Sequence, residues 1–381
     1  MITNRNSIFI VITGIFLIFS VACEENEQTS DSPTSNPEYT GDKNEVNQDA
    51  EEIKQPVPSE ERKVIAQNLE EPWEIAKVDD IFYISERTGF IVTIEGENKT
   101  RKPVQFDESL AEQPESGLLG IAFPDDFKAS NRAYAYYSFQ RDNENYQRVV
   151  TMEETDDQWE ETSILLDEIP GGTYHHGGRI KISPDEKLFI TIGDASEPDL
   201  AQDLENLAGK ILRMNLDGSI PEDNPFEGSY VYSYGHRNPQ GLSWGPDDKL
   251  YATEHGSQAL DEMNHITAGS NYGWPIIEGD ETAEGMESPL IHSGEETWAP
   301  SGMAFYEGNI YFASLRGEAL RKFDPINKTQ ERIVSDVGRV RDVMAAENGV
   351  YIITNNTDGR GNPSNEDDQL IFIPIPNNEI Q

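Results

Sequence analysis

The sequence is poor in cysteine and in basic residues, and each shortage excludes a class of protein. Its 381 residues include one cysteine, Cys23, so no disulfide can form within the chain. The 29 lysines and arginines stand against 71 aspartates and glutamates, which gives a formal net charge of −42. Because so acidic a surface repels phosphate backbones and anionic lipid, we exclude a nucleic-acid-binding function.

Long apolar runs are also scarce, and the run at residues 8–19 is too short for a membrane span of roughly 20 residues. It follows Arg5 and predicts a secretory signal. The signal ends in Ser-Val-Ala-Cys, which resembles a bacterial lipoprotein signal with Cys23 as the lipid-modified residue. The alternative is an ordinary signal peptide that is cleaved nearby. Both interpretations place the protein outside the cytoplasm, in the bacterial cell envelope.

The chain divides into three predicted segments. Residues 1–22 form the signal peptide, and residues 23–62 are acidic and almost free of aromatic residues. Because this second segment cannot bury enough apolar area to fold, we expect a disordered tether. Residues 63–381 form the folded domain.

The folded segment repeats one β-type unit six times: an apolar strand, a turn such as Pro-Asp-Asp, and a strand centred on an aromatic residue. The six aromatic residues are Tyr83, Tyr134, Phe189, Tyr251, Tyr311 and Tyr351. They recur at roughly the repeat length of propeller blades, about 40 to 60 residues. We therefore predict an all-β fold, a six-bladed β-propeller, rather than an array of β-sandwiches.

Residues 175–275 interrupt these strands with histidines, arginines, carboxylates and glycines. Such groups are costly in a core, so they predict loops that converge on a ligand. His175 and His176 are either turn residues or include a general base. Arg237 and Asn238 suit a planar, oxygen-rich ligand, although a structural arginine paired with a carboxylate is an equal alternative.

Two further patterns point to an anion and to a hard cation. Arg339 and Arg341 flank one strand residue, so their side chains share a face and favour an anion between them. The carboxylates and glycine-exposed carbonyls of residues 261–273 suit Ca²⁺ rather than a transition metal. No glycine-rich phosphate loop is present, so chemistry must come from another bound cofactor or metal.

Many ordered motifs combine into one resemblance. They are residues 70–76, 85–89, 117–122, 175–179, 192–194, 235–241, 254–256, 261–264, 271–275, 299–302 and 339–343. The set resembles the soluble sugar dehydrogenases that depend on pyrroloquinoline quinone (PQQ), the glucose/sorbosone dehydrogenase family, and in particular its aldose sugar dehydrogenase branch. The resemblance implies a six-bladed propeller that oxidises aldoses at C1 to lactones, with PQQ and Ca²⁺ as cofactors. The electron acceptor, a quinone or a cytochrome, stays open.

The resemblance also assigns roles. It implies that His175 is the general base and that Arg237 stabilises negative charge on the quinone oxygen. The implied cofactor-binding residues are Glu115, Asn238, Arg316, Arg339 and Arg341. The backbone carbonyls of Gly256 and Ser257 would bind the cofactor's calcium, and a second, structural calcium would lie near Glu262 and the Tyr272 carbonyl.

The sequence departs from the glucose-oxidising branch at two of these positions. Glu115 stands where that branch has glutamine, and Tyr174 precedes the base where it has aspartate. The loop between Trp274 and Trp298 is short, which predicts an open site and broad aldose specificity. Two other functions stay open: a non-catalytic propeller that binds carbohydrate or protein, and a calcium-dependent lactonase with a side-chain metal site.

Overall fold

The computed structural model describes residues 57–376. The predicted signal peptide, the lipid site at Cys23 and most of the acidic tether therefore lie outside the described residues. Within the described range, no helix is long and apolar enough to cross a membrane. Its helical segments are α1 (Phe127–Ser130) and the 3-10 turns Ser59–Glu61, Pro198–Gln202 and Pro246–Asp248. The all-β prediction is confirmed.

The first half of the described chain contains a single strand and then two antiparallel meanders of four strands. The single strand is β1 (Lys63–Ala66). The first meander is β2 (Pro72–Val78), β3 (Ile81–Glu86), β4 (Phe90–Glu95) and β5 (Asn98–Gln105). The second is β6 (Leu118–Ala122), β7 (Arg132–Arg141), β8 (Glu144–Glu154) and β9 (Trp159–Pro170).

The second half continues this pattern with three meanders and a final three-stranded group. The strands are β10 (Ile180–Ile182), β11 (Lys187–Ile192), β12 (Lys210–Asn215) and β13 (Val231–Tyr234); β14 (Pro239–Trp244), β15 (Leu250–Glu254), β16 (Glu262–Ile266) and β17 (Ile291–His292); β18 (Pro300–Tyr306), β19 (Asn309–Ser314), β20 (Ala319–Asp324) and β21 (Thr329–Val334); and β22 (Val340–Ala346), β23 (Gly349–Thr354) and β24 (Leu370–Pro374).

The last group is completed by the first strand, because β1 pairs with β24 in a sheet of order β1-β24-β23-β22. The meanders β10–β13, β14–β17 and β18–β21 form separate sheets. The meanders β2–β5 and β6–β9 form one eight-stranded sheet, joined by a short parallel pairing of Val104 with Trp159 and Gln105 with Glu160.

The aromatic repeat marks the same strand in every group. Each of its six residues lies on the second strand of its group, namely on β3, β7, β11, β15, β19 or β23. Alternation along a strand turns every second side chain toward one face, and five of the six aromatic residues are buried there. The repeat therefore reflects a shared packing position rather than a shared active-site role.

The apolar core lies between successive groups of strands. Each of the described hydrophobic clusters joins neighbouring groups, as Tyr83 of β3 and Tyr137 of β7 do in one of them. The first strands also contact one another, β2 with β6 and β22, and β18 with β14 and β22. The loops that precede and follow these first strands are therefore brought close together.

The described part begins before the predicted domain boundary at residue 63. The N–H of Val57 donates to the Ile333 carbonyl of β21 at 3.0 Å, and the Arg62 side chain pairs with Asp336. The end of the predicted tether is thus attached to the folded unit.

Candidate functional site

His175 lies in the loop between β9 and β10, with its Nδ1 2.7 Å from Oδ1 of Asp194. Asp194 is fully buried, and its Oδ2 accepts a hydrogen bond from Nε1 of Trp274 at 2.9 Å. The His175 side chain is 19% exposed. Because Nδ1 faces the carboxylate, Nε2 is the nitrogen left for a ligand. Asp194 thus supplies the orienting group for the imidazole that residue 174 cannot supply here.

The close approach of these two loops depends on a glycine. A Cβ at Gly193 would lie 1.9 Å from the carbonyl oxygen of His175, so a larger residue would separate the histidine from Asp194. His175 itself has φ of +64°, and its N–H donates to Oε2 of Glu115 at 3.1 Å. The position of His175 is therefore fixed from three sides.

His176 has a different environment, since it is buried between two serines. Its Nδ1 lies 3.3 Å from the Ser138 hydroxyl and its Nε2 lies 3.5 Å from the Ser116 hydroxyl. Burial lowers the pKa of His176 to about 4. The ring is therefore neutral near pH 7, and of the histidine pair only His175 has a carboxylate partner.

Arg237 and Asn238 lie in the loop between β13 and β14. The N–H of Arg237 donates to Oε2 of Glu254 at 2.9 Å, and its guanidinium lies over the Trp274 ring at 5.3 Å. Asn238 accepts from the N–H of Gly177 at 3.0 Å. Nε of Arg237 and Nδ2 of Asn238 are buried without a partner among the described residues. These two donors are available to a ligand.

Arg339 and Arg341, predicted as a pair, differ in whether a carboxylate forms an ion pair with the guanidinium. Arg339 forms an ion pair with Asp358 at 2.9 Å. Arg341 instead donates to neutral oxygens: Gln240 Oε1 at 3.0 Å and, with the amide turned toward it, the side-chain oxygen of Asn355 at 2.8 Å. No carboxylate of the described chain pairs with Arg341, and burial lowers its pKa to about 9. Arg341 is the arginine of the two that lacks a counter-charge.

Glu115 connects the His175 loop to the loop that follows β23. Its Oε1 accepts from Nη1 of Arg360 at 3.1 Å. Burial acts to raise the pKa of Glu115, but positive charge at His255 and Arg360 and the N–H of His175 lower it to about 2. His255 carries its charge only at acidic pH, because burial lowers its own pKa to about 4, and it is neutral near pH 7. Glu115 is therefore an ionised residue whose main charged partner is Arg360.

Two adjoining cavities bring most of the predicted residues together. One is lined by Glu115 and Arg341, and the other is a cleft of about 440 Å³ lined by Arg237, Arg316, Gly256 and Ser257. His255 lines both, and its Nε2 is buried without a partner among the described residues. We call the region defined by Arg237, Asn238, His255 and Arg341 the polar pocket. His255 was not singled out from sequence, although it lies in the motif at residues 254–256.

The predicted structural calcium site contains two adjacent carboxylates. Glu262 on β16 pairs in register with Glu254 on β15, and burial together with the Glu254 charge raises the pKa of Glu262 to about 8. The Tyr272 ring stacks on His236 at 4.8 Å between centroids. Within residues 57–376 no group of three or more His, Cys, Asp and Glu side chains has the geometry to hold a metal ion.

A second set of buried charges lies next to the polar pocket, and we call it the Arg179 cluster. Nη1 of Arg179 lies 3.2 Å from both Glu74 Oε1 and Asp342 Oδ2, and Lys181 lies 2.8 Å from Glu74. Its charges are matched, two cations with two carboxylates. The Trp73 ring contacts the Arg179 guanidinium at 4.2 Å and that of Arg341 at 6.0 Å. The Arg179 cluster therefore ties β2, β10 and β22 together beside the pocket.

An all-β protein whose loops gather unpaired arginines beside a histidine–aspartate pair has the framework of a site for an anionic, oxygen-rich ligand. Comparison with known proteins identifies the class. The model of the glucose/sorbosone dehydrogenase family matches residues 69–363, and the chain belongs to this family. The resemblance inferred from the motifs is confirmed.

Three relatives show the range of similarity. The chain is 36% identical over 253 residues to quinoprotein glucose dehydrogenase B of Acinetobacter calcoaceticus, covering 58% of this chain and 53% of that protein, about half its length. It is 28% identical over 342 residues to aldose sugar dehydrogenase YliI of Escherichia coli, covering 78% and 90%. The structure of PQQ-bound aldose sugar dehydrogenase from Streptomyces coelicolor matches with a TM-score of 0.76 and 34% identity, over 82% of this chain and 97% of that one.

Proposed function

We propose that the protein is a PQQ-dependent dehydrogenase that oxidises aldoses at C1 to lactones. The observation that carries the proposal is the polar pocket, where Arg341 lacks a counter-charge and Arg237 and Asn238 keep unused buried donors. Buried cations and donors without partners are costly, so they fit a ligand that brings acceptors. PQQ is planar and carries carboxylates and quinone oxygens, which match these donors in type.

His175 would act as the general base through Nε2. It takes the proton of the C1 hydroxyl, while Asp194 holds Nδ1–H and fixes the orientation of the ring. When bound, PQQ would supply the hydride acceptor for C1. The sugar thus loses one hydride and one proton and becomes the lactone.

The remaining site residues would hold the cofactor. Arg237 lies in the cleft, where its guanidinium would stabilise negative charge on the quinone oxygen. The other cofactor-binding residues in this proposal are Asn238, Arg341, Arg339, Arg316 and Glu115. Arg341 would be the principal partner of a cofactor carboxylate, because Arg339 already pairs with Asp358. Glu115 would act mainly through the backbone of His175.

Calcium would bind at two places. The carbonyls of Gly256 and Ser257, which line the cleft with Arg237, would hold the ion that polarises the quinone as a Lewis acid. A second ion would lie near Glu262 and the Tyr272 carbonyl. The raised pKa of Glu262 beside Glu254 supports it, because a cation there would offset two adjacent buried carboxylates.

We also propose a six-bladed propeller for the architecture. Each aromatic repeat then marks one blade, and the eight-stranded sheet consists of two blades joined at their outer strands. The contacts among the first strands and the cores between neighbouring groups support a ring arrangement. Its closure would come from β1, which completes the last blade beside β24.

Residues 1–22 would direct export, and Cys23 would carry the lipid that anchors the protein to the cell envelope through the tether. The test is mass spectrometry of the mature N-terminus after extraction of membranes. A diacylated Cys23 would support the anchor, and an unmodified N-terminus in the soluble fraction would refute it.

The function itself is tested by titrating the calcium-loaded apo-protein with PQQ and then adding an aldose. Binding followed by sugar-driven bleaching of the oxidised quinone would support the dehydrogenase, and a panel of aldoses would measure its breadth. Binding without reduction by any aldose would contradict the sugar substrate. Failure to bind PQQ would favour the non-catalytic propeller, and lactone hydrolysis without PQQ would favour the lactonase.

The role of His175 is tested in the same assay with His175→Ala. We expect PQQ to bind as in the wild type and the rate to fall by about 10² to 10⁴, the usual contribution of a general base. His265→Ala is a suitable control, because His265 is exposed on β16. A rate for His175→Ala close to that of the control would remove His175 from the mechanism.

A further inference from the structure

We propose that Trp274 is a positioning residue that holds the base and the arginine of the site in one arrangement. The inference rests on the proposed function for its kinetic meaning, although its structural part concerns the protein without cofactor. Trp274 is half-buried and lies in the loop after β16. It contacts the His175 side through its indole N–H and the Arg237 side through its ring.

The first contact acts on the base through Asp194. Nε1 of Trp274 donates to Oδ2 of Asp194 at 2.9 Å, while Oδ1 of the same carboxylate lies 2.7 Å from Nδ1 of His175. Oδ1 also accepts from the N–H of Ser196 at 2.8 Å, and Trp274 donates to Oδ2, so the carboxylate cannot rotate without losing one of these bonds. The charge-assisted bonds at the two oxygens also compete for the same negative charge. Trp274 therefore influences both the direction of the imidazole and the charge that Asp194 presents to it.

The second contact acts on Arg237. Its guanidinium carbon lies 5.3 Å from the centroid of the Trp274 ring, within the range of a cation–π interaction. Nη1 has a long bond of 3.4 Å to the His255 carbonyl, and Nε has no partner among the described residues. The ring is thus a main constraint on where the guanidinium lies.

The backbone of Trp274 is itself firmly held. Its N–H donates to the Gly235 carbonyl at 2.9 Å, two residues before Arg237. Its carbonyl accepts from Nε2 of Gln202 at 2.6 Å, and Gln202 follows the loop that carries Asp194. Trp274 is therefore attached, through its backbone and its side chain, to the loop that carries Asp194 and to the loop that carries Arg237.

The structural part is tested on apo-protein by following the indole N–H resonance of Trp274 in ¹⁵N-labelled samples. Trp274→Phe assigns the resonance by its loss. We expect the resonance to move upfield in Asp194→Asn, and to titrate with pH in the wild type but not in His175→Gln. If neither substitution changes the chemical shift of the indole N–H or its pH dependence, the coupling between Trp274 and His175 is contradicted. This outcome does not depend on the enzyme activity.

The kinetic part compares Trp274→Phe and Trp274→Leu in the PQQ-loaded enzyme. Phe keeps a ring beside Arg237 but removes the N–H, so Asp194 regains charge for the imidazole. We expect kcat to fall about tenfold with little change in KM. In the plot of kcat against pH, the acid limb should shift to higher pH by about half a unit, because more negative charge on Asp194 favours the protonated form of His175. Leu should lower kcat further, because it also removes the ring.

Trp244→Phe is the matched control, because Trp244 on β14 packs against Phe189 at 5.3 Å and lies outside the polar pocket. It should leave the acid limb unchanged. Thermal unfolding of all variants separates a loss of folded protein from a loss of positioning. An unshifted acid limb in Trp274→Phe, or equal kinetics of the Phe and Leu variants, would overturn the proposal. An inactive wild type with a responsive indole resonance would instead count against the proposed function alone.

Discussion

The Arg179 cluster and the polar pocket share Trp73 as a neighbour, and both contain buried arginines, yet their charge balance differs. Arg179 lies between two carboxylates, whereas Arg341 of the polar pocket forms no ion pair and donates only to neutral oxygens. A buried cation costs several kcal/mol unless it is paired. The matched cluster therefore serves the fold, and the unmatched pocket is kept for a partner that the chain does not supply.

Removing the cation of the matched cluster should have the largest effect. Arg179→Met would leave Glu74 and Asp342 buried with less compensation, so we expect a loss of about 3 to 5 kcal/mol in the free energy of unfolding. Denaturant titration of the apo-protein measures it. Lys322→Met, which breaks the more exposed pair with Glu331, should cost about 1 kcal/mol or less. Equal losses of unfolding free energy in the two variants would contradict a larger contribution of the Arg179 cluster to stability.

His176 extends the comparison to a buried titratable side chain that is uncharged near pH 7. Its pKa is about 4 in the folded protein, against 6.5 for an unperturbed histidine. The unfolded chain therefore binds a proton that the folded one does not between these values. The contribution of His176 to stability should be constant above about pH 6.5 and fall below it, by roughly 3 kcal/mol near pH 4.

The measurement is urea unfolding from pH 7.5 to 4, with His176→Gln beside the wild type. The variant should lose this part of the pH dependence, and His265→Gln on the exposed side of β16 should retain it. Parallel curves of unfolding free energy against pH for wild type and His176→Gln would contradict a neutral buried His176.

Removing the cation of the unmatched pocket should affect binding rather than folding. In Arg341→Met the apo-protein should be as stable as the wild type or slightly more so, because an uncompensated charge is gone. The dissociation constant of PQQ should rise about 10- to 100-fold, as expected for a lost hydrogen bond to a charged group. Calorimetric unfolding and PQQ titration together test this. Destabilisation like that of Arg179→Met would erase the distinction between the two regions.

The smallest effect is expected at Glu115, where the charge is matched but partly exposed. Glu115→Gln keeps an acceptor for the N–H of His175 and loses only the ion pair with Arg360, which is 39% exposed. We expect a change below about 1 kcal/mol in unfolding, screened further by salt. A large loss would mean that the pair is a structural element of the pocket.

The sequence was sufficient to predict the strand pattern and the loops that carry the residues of the candidate site. The aromatic repeat predicted equivalent strands because alternation and turn residues act locally. The motifs also predict that His175, Arg237 and Arg341 act on a common ligand, which stays a prediction. These inferences needed only the residue types and their order.

Partnerships across loops could not be predicted in the same way. Nothing in residues 339–341 distinguishes the two arginines, because the distinction comes from Asp358 on a later loop. Asp194 lay in a recognised motif, but its bond to His175 depends on Gly193 and on the folding of two separate loops. Trp274 bridges residues that are far away in the sequence, so its two contacts required the structure.

The pairing of β1 with β24 also bears on how the protein is made. β24 is the last strand of the described chain to be synthesised, and β1 has no partner in a sheet until then. An unpaired strand edge invites association with other chains. The export proposed above would remove this hazard from the cell interior, because β1 and β24 would first pair after transport. The late closure of this sheet is therefore compatible with folding at the destination rather than during translation.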